Sequence, residues 1–397
     1  MLFAVCSVII IFMILVFTHE FGHLFAAKFN NVNCPEFSVG MGPKLFSIKV
    51  NKTAYNFRLF PIGGYVRMAG DDETYYLVER DMYIVVKDEK ILSIEENEVL
   101  NSSYVTIKSI DYIHRKITYS INDKICSLLL HEDAFVMLKS KKKIYISPYN
   151  SMLASKKPLQ KSAILLAGPF ANIAMALIIL LSVNLIHGLP SSDAVIGTVN
   201  SDTSVLKPGD QIISVNDNRI ENWNELRLIL NFRSEKNQEI AIRRGEEYLN
   251  VQVEDSIMLS PMISRNIGNV LTATYQDTLH YSTILIKGLR DILTGEESLK
   301  NLSGPAGVMK QTYDITNTST FHNLIIWASI MNLNVAIFNL LPIPALDGGR
   351  LLVIIIGVIR RKQIAPEKEG LIHLVGFTFM IGLTILATWN DLVKFFH

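Results

Sequence analysis

A chain of 397 residues that is 49% hydrophobic and only 19% charged, with a positive mean hydropathy, is too apolar for an ordinary soluble protein of its size. A formal net charge of +1 supplies no bulk field for a nucleic-acid partner. The three cysteines, Cys6, Cys34 and Cys126, follow no spacing that would build a disulfide framework or a thiolate zinc site. A membrane protein is the class that remains.

In chain order, residues 2–27 form the first apolar run, long enough to cross a bilayer as a helix. No basic residue precedes it and no small-residue cleavage pattern follows it, so it reads as a retained transmembrane helix and not a secretion signal. Residues 32–70 alternate around Gly40, Gly42, Gly63 and Gly64, the pattern of hairpins beside the membrane. Residues 72–148 contain "MYIVVKD", "YVTIKSI", "KITYSIND" and "KKIYISP", which predict a small, polar, β-rich domain. A second span covers 161–187. Short strands and a helical run "WNELRLIL" follow within 194–255, then an amphipathic helix over 277–294 suited to a membrane interface. A third span, 323–341, is broken at Pro342 and Pro344, and the short run 350–359 continues it. A fourth covers 371–388.

The expected fold class is thus a polytopic α-helical membrane protein with four transmembrane helices, a membrane-associated β-hairpin region, a β-rich insertion and an α+β domain on the other side. Its segments divide as 1–30, 31–70, 71–155, 156–190, 191–260, 261–322, 323–362 and 363–397. Lys28, Lys156, Lys157 and Lys161 flank the first connection, and Arg360, Arg361 and Lys362 lie in the short third one. "GLPSSDA" after the second span has no basic residue. The positive-inside rule therefore puts 28–160 and 360–370 in the cytoplasm, with both termini and 188–322 outside.

Chemistry concentrates in the first span, "FMILVFTHEFGHLFAAKF". On a helix His19 and His23 sit one turn apart on the same side, with Glu20 on the adjacent face. Two imidazoles so placed bind one divalent ion, and the carboxylate is then able to take a proton from water. His19 lies about 27 Å along the helix, inside the bilayer and toward its cytoplasmic side. An ionised acid there costs at least about 2.5 kcal/mol on insertion scales, so a chance pattern is disfavoured and a metal offers the compensation. A third ligand is required. The candidates are His373, which also reads as an interfacial histidine, and Asp347, which also reads as a helix N-cap. Asp347 is preferred, because broken helices at membrane depth line cavities or sites.

"HEFGH", "GPFAN" at 168–172 and "NLLPIPALDGG" at 339–349 resemble the site-2 protease family of intramembrane metalloproteases, in particular its bacterial RseP/RasP type. "RLFPIGGYVRMAG", "NLSGPAGV" and "TWNDLVKFF" extend the resemblance over nearly the whole chain, and the insertion at 72–148 is similar to that of the Gram-positive RasP-like members. The resemblance implies a Zn2+ ion held by His19, His23 and Asp347, with Glu20 as general base. It implies that Asn334 and Asn339 help to hold substrate, where interhelical hydrogen bonding is the plainer use of Asn in a span. It also implies that the hairpin around Gly63 and Gly64 pairs with an unwound substrate, although those glycines would equally serve a turn. Pro169 and Asn172 read as packing features of the second span.

The external domain reads as a PDZ around "KPGDQIISVNDNRI", with the preceding stretch shortened to "NSDTSVL". The implied activity is hydrolysis of a peptide bond within the transmembrane segment of a single-pass membrane protein in the bacterial plasma membrane, such as an anti-sigma factor or a signal-peptide remnant. The rival readings are a non-catalytic PDZ-bearing membrane scaffold, which would not need Glu20, His23 and Asp347 together, and an ion transporter, which would need more spans or repeat symmetry.

Overall fold

The computed structural model describes residues 2–70, 80–139, 143–191, 193–199, 205–216, 218–220, 222–223, 225–226, 238–253, 259–298, 303–318, 320–362 and 366–396. Four of its helices contain stretches long and apolar enough to cross a membrane: Ala4–Phe29, Pro158–His187, Phe321–Leu340 and Lys368–Lys394.

Helix α1, Leu2–Phe29, is apolar all round, so periodicity alone does not say which side is buried. The fold decides it. Phe17, Phe21, Phe25 and Phe29 stack at successive turns on an exposed face, the side suited to lipid. Leu15, Val16, His23, Leu24 and Ala27 are buried on the other. Against that inner side lie strands β1, Glu36–Val50, and β2, Thr53–Arg67. β2 doubles back, so Glu36–Val39 is the middle strand, paired with Ala54–Phe57 on one side and Gly64–Arg67 on the other.

One buried carboxylate fastens this small sheet. Glu36 accepts from Asn56 at 2.6 Å and Arg58 at 3.1 Å, and pairs with Lys44 at 3.4 Å and Arg67 at 3.5 Å. Burial alone would raise its pKa; the bond from Tyr65 and the charges of Lys44 and Arg67 hold it below the usual carboxylate range.

Six strands follow: β3 Asp81–Lys87, β4 Lys90–Glu95, β5 Ser102–Asp111, β6 Lys116–Ile121, β7 Lys124–Met137 and β8 Lys143–Tyr145. They pair in the order β4-β3-β5-β6-β7-β8, and a parallel β4–β7 pairing closes them into a small barrel. Its core is Met82, Ile84, Ile91, Ile94, Val105, Ile107, Ile117 and Val136, most of them alternate residues along their strands. The sequence showed four of the six strands. β4 is only six residues long, and β7 is bent between Leu130 and Phe135, where its pairing with β4 shifts register.

Helix α2, Pro158–His187, is the second span. Beyond it lie β9 Leu189–Pro190, β10 Ile196–Val199, β11 Gln211–Val215, β12 Asn218–Arg219, β13 Gln238–Arg244, β14 Glu247–Val253, β15 Leu259–Pro261 and β16 Ile263–Ser264. Residues 177–281 form a compact unit of their own, with a four-stranded sheet β12-β11-β13-β14 over Ile212, Val215, Leu226, Ile240 and Ile242. Trp223, Glu225 and Leu226 are helical; 227–230 of the expected helix, and most of the shortened "NSDTSVL" stretch, lie outside the described residues.

Asp210 of this unit is buried and receives two bonds from Arg244, each 2.7 Å, and one from the Lys207 N–H. Burial opposes the charge, but these donors keep the carboxyl below its ordinary pKa. A carboxylate depressed in the folded state contributes stability above its unfolded pKa and loses it as pH falls through the folded one. Asp210→Asn is expected to destabilise the unit by about 2 kcal/mol near neutral pH, less than for a fully buried pair because Arg244 is partly exposed. The deficit should shrink below about pH 4, as read by amide exchange of β11 and β13.

Helix α3 spans Ile267–Thr294, ten residues earlier than the sequence suggested. Its start is set by Asn266, whose Oδ1 accepts from the Gly268 N–H at 2.9 Å. Helix α4, Pro305–Thr318, was not expected at all. Its weakly apolar sequence is held from outside. Asp391, buried in α7 (Pro366–Phe396), accepts the backbone N–H groups of Gly304 and Gly307 at 2.9 and 2.7 Å. The "SGPAG" and "TWND" stretches are therefore one clasp: a Cβ on Gly307 would fall 2.4 Å from the Asp391 carboxylate. Asp391→Ala should cost about 1–3 kcal/mol, seen as a lowered unfolding midpoint in detergent.

The third span, α5 Phe321–Leu340, ends before the prolines. Helix α6, Asp347–Ile359, starts afresh beyond them.

Candidate metal centre

The turn between α5 and α6 brings Asp347 to α1. Ala345 adopts φ +82, a left-handed conformation that costs a non-glycine residue free energy and is tolerated where its surroundings fix it. Those surroundings are visible. The Ala345 N–H donates to His373 Nδ1 on α7 at 3.3 Å, and Gly376 lies so close beneath that an added Cβ would sit 2.2 Å from the Pro344 carbonyl. His373, the other ligand that the sequence left open, thus braces the turn that carries Asp347.

Asp347 Oδ2 lies 3.2 Å from His19 Nε2 and 3.3 Å from His23 Nε2, and the two Nε2 atoms are 3.2 Å apart. Bonds of about 2.0–2.2 Å to a tetrahedral zinc separate its ligand atoms by about 3.4 Å, so the three stand close to three corners of such a site. Protonation supports the fit. His23 Nδ1 donates to the Ile164 carbonyl at 2.9 Å, which leaves a lone pair on the Nε2 of a neutral ring. Asp347 Oδ2 has no aligned donor among the described residues. Lone pairs converging on one buried point repel unless a cation holds them. These residues fit a metal ion, and they are the one His/Cys/Asp/Glu group of ligand geometry among the described residues.

Two features escaped the sequence reading, and both lie on α2. Gly168 gives His23 its place: a Cβ there would fall 2.2 Å from the His23 Nε2. Asn172, one turn on and fully buried, sets its amide nitrogen 3.5 Å from His19 Nδ1, and its Oδ1 has no partner among the described residues. Amide oxygen and nitrogen are alike in shape, and with the oxygen turned to Nδ1 the ring proton gains an acceptor. Pro169 lacks the N–H that would bond the Leu165 carbonyl, loosening α2 beside the Ile164 carbonyl that His23 uses. The signal was present in "GPFAN", whose Gly and Asn share a helix face at i and i+4.

A cavity of about 450 Å³ opens at this point, lined by His19, Glu20, His23 and Asp347 together with Gly64–Met68 at the end of β2. Glu20 accepts from the Val66 N–H, and Gly64 leaves room for it: a Cβ at 64 would be 2.9 Å from Glu20 Cγ. Gly63 takes φ +69 at the turn just before. Asn339 lines the cavity, whereas Asn334, about 140° round the same helix, is not among the lining residues.

Residues 7–383 match the model of Peptidase family M50. Among curated proteins, the chain is 34% identical to Zinc metalloprotease RasP of Geobacillus kaustophilus over 99% of this chain and 98% of that one. It is 35% identical to Zinc metalloprotease RasP of Shouchella clausii, over 98% of each. To Regulator of sigma-W protease RasP of Bacillus subtilis it is 32% identical over 99% of each. With a His-His-Asp group in the expected place and a match over nearly its whole length, the chain belongs to peptidase family M50, the zinc metalloproteases.

Proposed function

We propose that the protein hydrolyses a peptide bond within the transmembrane segment of a single-pass membrane protein, with His19, His23 and Asp347 holding zinc and Glu20 acting as general base. The observation that carries this reading is the convergence of three metal-ligating atoms and a separate carboxylate in one cavity that also runs along the end of β2. When bound, zinc supplies Lewis-acid polarisation of the scissile carbonyl. Glu20 takes a proton from the attacking water and returns it to the leaving amine nitrogen. The Val66 N–H aims the carboxylate, and the Ile164 carbonyl and Asn172 keep the imidazoles in the ligating tautomer.

A helical peptide bond is shielded by its own hydrogen bonds, so the substrate must be unwound. The side of Gly64–Arg67 turned away from β1, introduced by the turn at Gly63, suits pairing with an extended segment, and Asn339 lines the same cavity to help hold it. Asn334 joins it by family resemblance. The flanking lysines and arginines favour a cytoplasmic barrel, a site toward that face of a bacterial plasma membrane, and an outer PDZ-like unit at 191–260 that filters bulky external domains. Suitable substrates are membrane-anchored regulators of the anti-sigma type and signal-peptide remnants.

The test is cleavage by the purified protein, with zinc, of a single-span peptide in detergent or vesicles. Mass spectrometry should place the cut inside the apolar segment, and a chelator should abolish it. Cutting confined to flanking polar residues, or cutting that survives chelation, would reject the proposal.

A further inference from the structure

The cavity does not end at the metal-ligating residues. On its far side it is lined by Met68 and Ala69, where β2 leaves for the barrel, and by Tyr145, Ile146, Ser147 and Met152, where the chain comes back. This root is stitched together. The Asn33 N–H donates to the Ser151 carbonyl at 2.9 Å, and its side-chain amide to Ser147 Oγ at 3.1 Å. The Asn33 carbonyl accepts the Ala69 N–H at 2.8 Å, and the Ala69 carbonyl accepts the Leu153 N–H at 2.8 Å. A loosely tethered accessory domain would show no such fastening. Tyr145 is exposed on this wall, its ring under the ammonium groups of Lys49 at 5.1 Å and Lys143 at 4.8 Å, which hold it in place.

We infer that the barrel segment Tyr145–Ser147 belongs to the substrate site and contacts the residues on the N-terminal side of the scissile bond. The inference rests on the proteolytic reading and on pairing along β2. The last part of β2, Gly64–Arg67, passes beside Glu20, and Met68 beyond it stands at the barrel root. An extended peptide added antiparallel, the more stable pairing per residue, runs the opposite way. Its N-terminal part then lies toward Met68 and the barrel, and its C-terminal part passes beyond Gly64. The Glu20 carboxylate stands at the Val66 N–H, and the two residues on to Met68 cover about 7 Å, so the wall meets positions roughly two to four residues before the cut. The barrel is thereby a determinant of which sequence is cleaved.

The test places a photo-reactive benzoylphenylalanine at Tyr145 in the full-length Glu20→Gln protein, with a tagged single-span substrate present, and a second probe at Val66. The expected adduct from position 145 maps two to four residues N-terminal to the bond that the wild type cuts. Capture at 66 with silence at 145 overturns the barrel contact and leaves proteolysis standing; an adduct C-terminal to the cut overturns the polarity. Silence at both, together with no cleavage by the wild type, sinks the proteolytic reading itself. Tyr145→Ala, with zinc content unchanged, should lower kcat/KM about three- to tenfold through KM, and Tyr145→Phe should restore it. An unaltered KM in Tyr145→Ala would count against the contact.

Discussion

Glu20→Gln is expected to slow peptide-bond hydrolysis by about 10²- to 10⁴-fold, the usual contribution of a general base, while zinc content stays at the wild-type level. Glutamine keeps the size of the side chain and an oxygen able to accept from the Val66 N–H, so the strand beside it has no reason to move. It cannot take a proton from water. The separation of the two readouts is what identifies a base: on the proposed assignment His19, His23 and Asp347 hold the metal without Glu20, whose carboxylate is not one of the three converging groups. Single-turnover cleavage of a single-span substrate, with metal analysis of the same preparation, measures both. Unchanged cleavage would remove Glu20 from the chemistry, and lost zinc would make it a ligand.

The second large effect concerns a residue with no side chain. Gly168→Val is expected to lower zinc affinity at least about 100-fold, at or beyond the upper end of what disturbing a ligand's supporting shell costs, and to abolish turnover. The reason is steric: the Cβ position at 168 is 2.2 Å from His23 Nε2, the atom that faces Asp347. Even Gly168→Ala should show most of the loss. Gly382→Ala on α7, where nothing among the described residues lies within 4 Å of the new carbon, is the matched control and should keep its zinc. Retained zinc in Gly168→Val would mean that His23 does not ligate from this position.

The histidine pair and the four apolar spans were legible because each rests on a local signal. His19 and His23 are one helical turn apart, and the spans are continuous apolar runs. Asp347 required a global argument, a charge beside a broken helix, and that argument separated it from His373 only as a preference. The structure supplies the reason: His373 accepts from the Ala345 N–H and so shapes the turn. What the sequence could not show was partnership between distant segments. "SGPAG" and "TWND" look unrelated until Asp391 caps α4. Gly168 and Asn172 look like packing residues until α1 lies against them. The barrel's closure depends on the bent strand β7, which pairs with three neighbours and has no simple alternation along its length.

The proposed zinc site joins an acid from beyond the third span to two imidazoles of the first. Zinc per chain, measured by mass spectrometry on purified Asp347→Ala beside the wild type, tests it most directly. About one zinc in the wild type and a small fraction of that in the variant is the predicted result, since two imidazoles alone are an incomplete site. Equal zinc in both proteins would mean that Asp347 is not a ligand, whatever the activity of either.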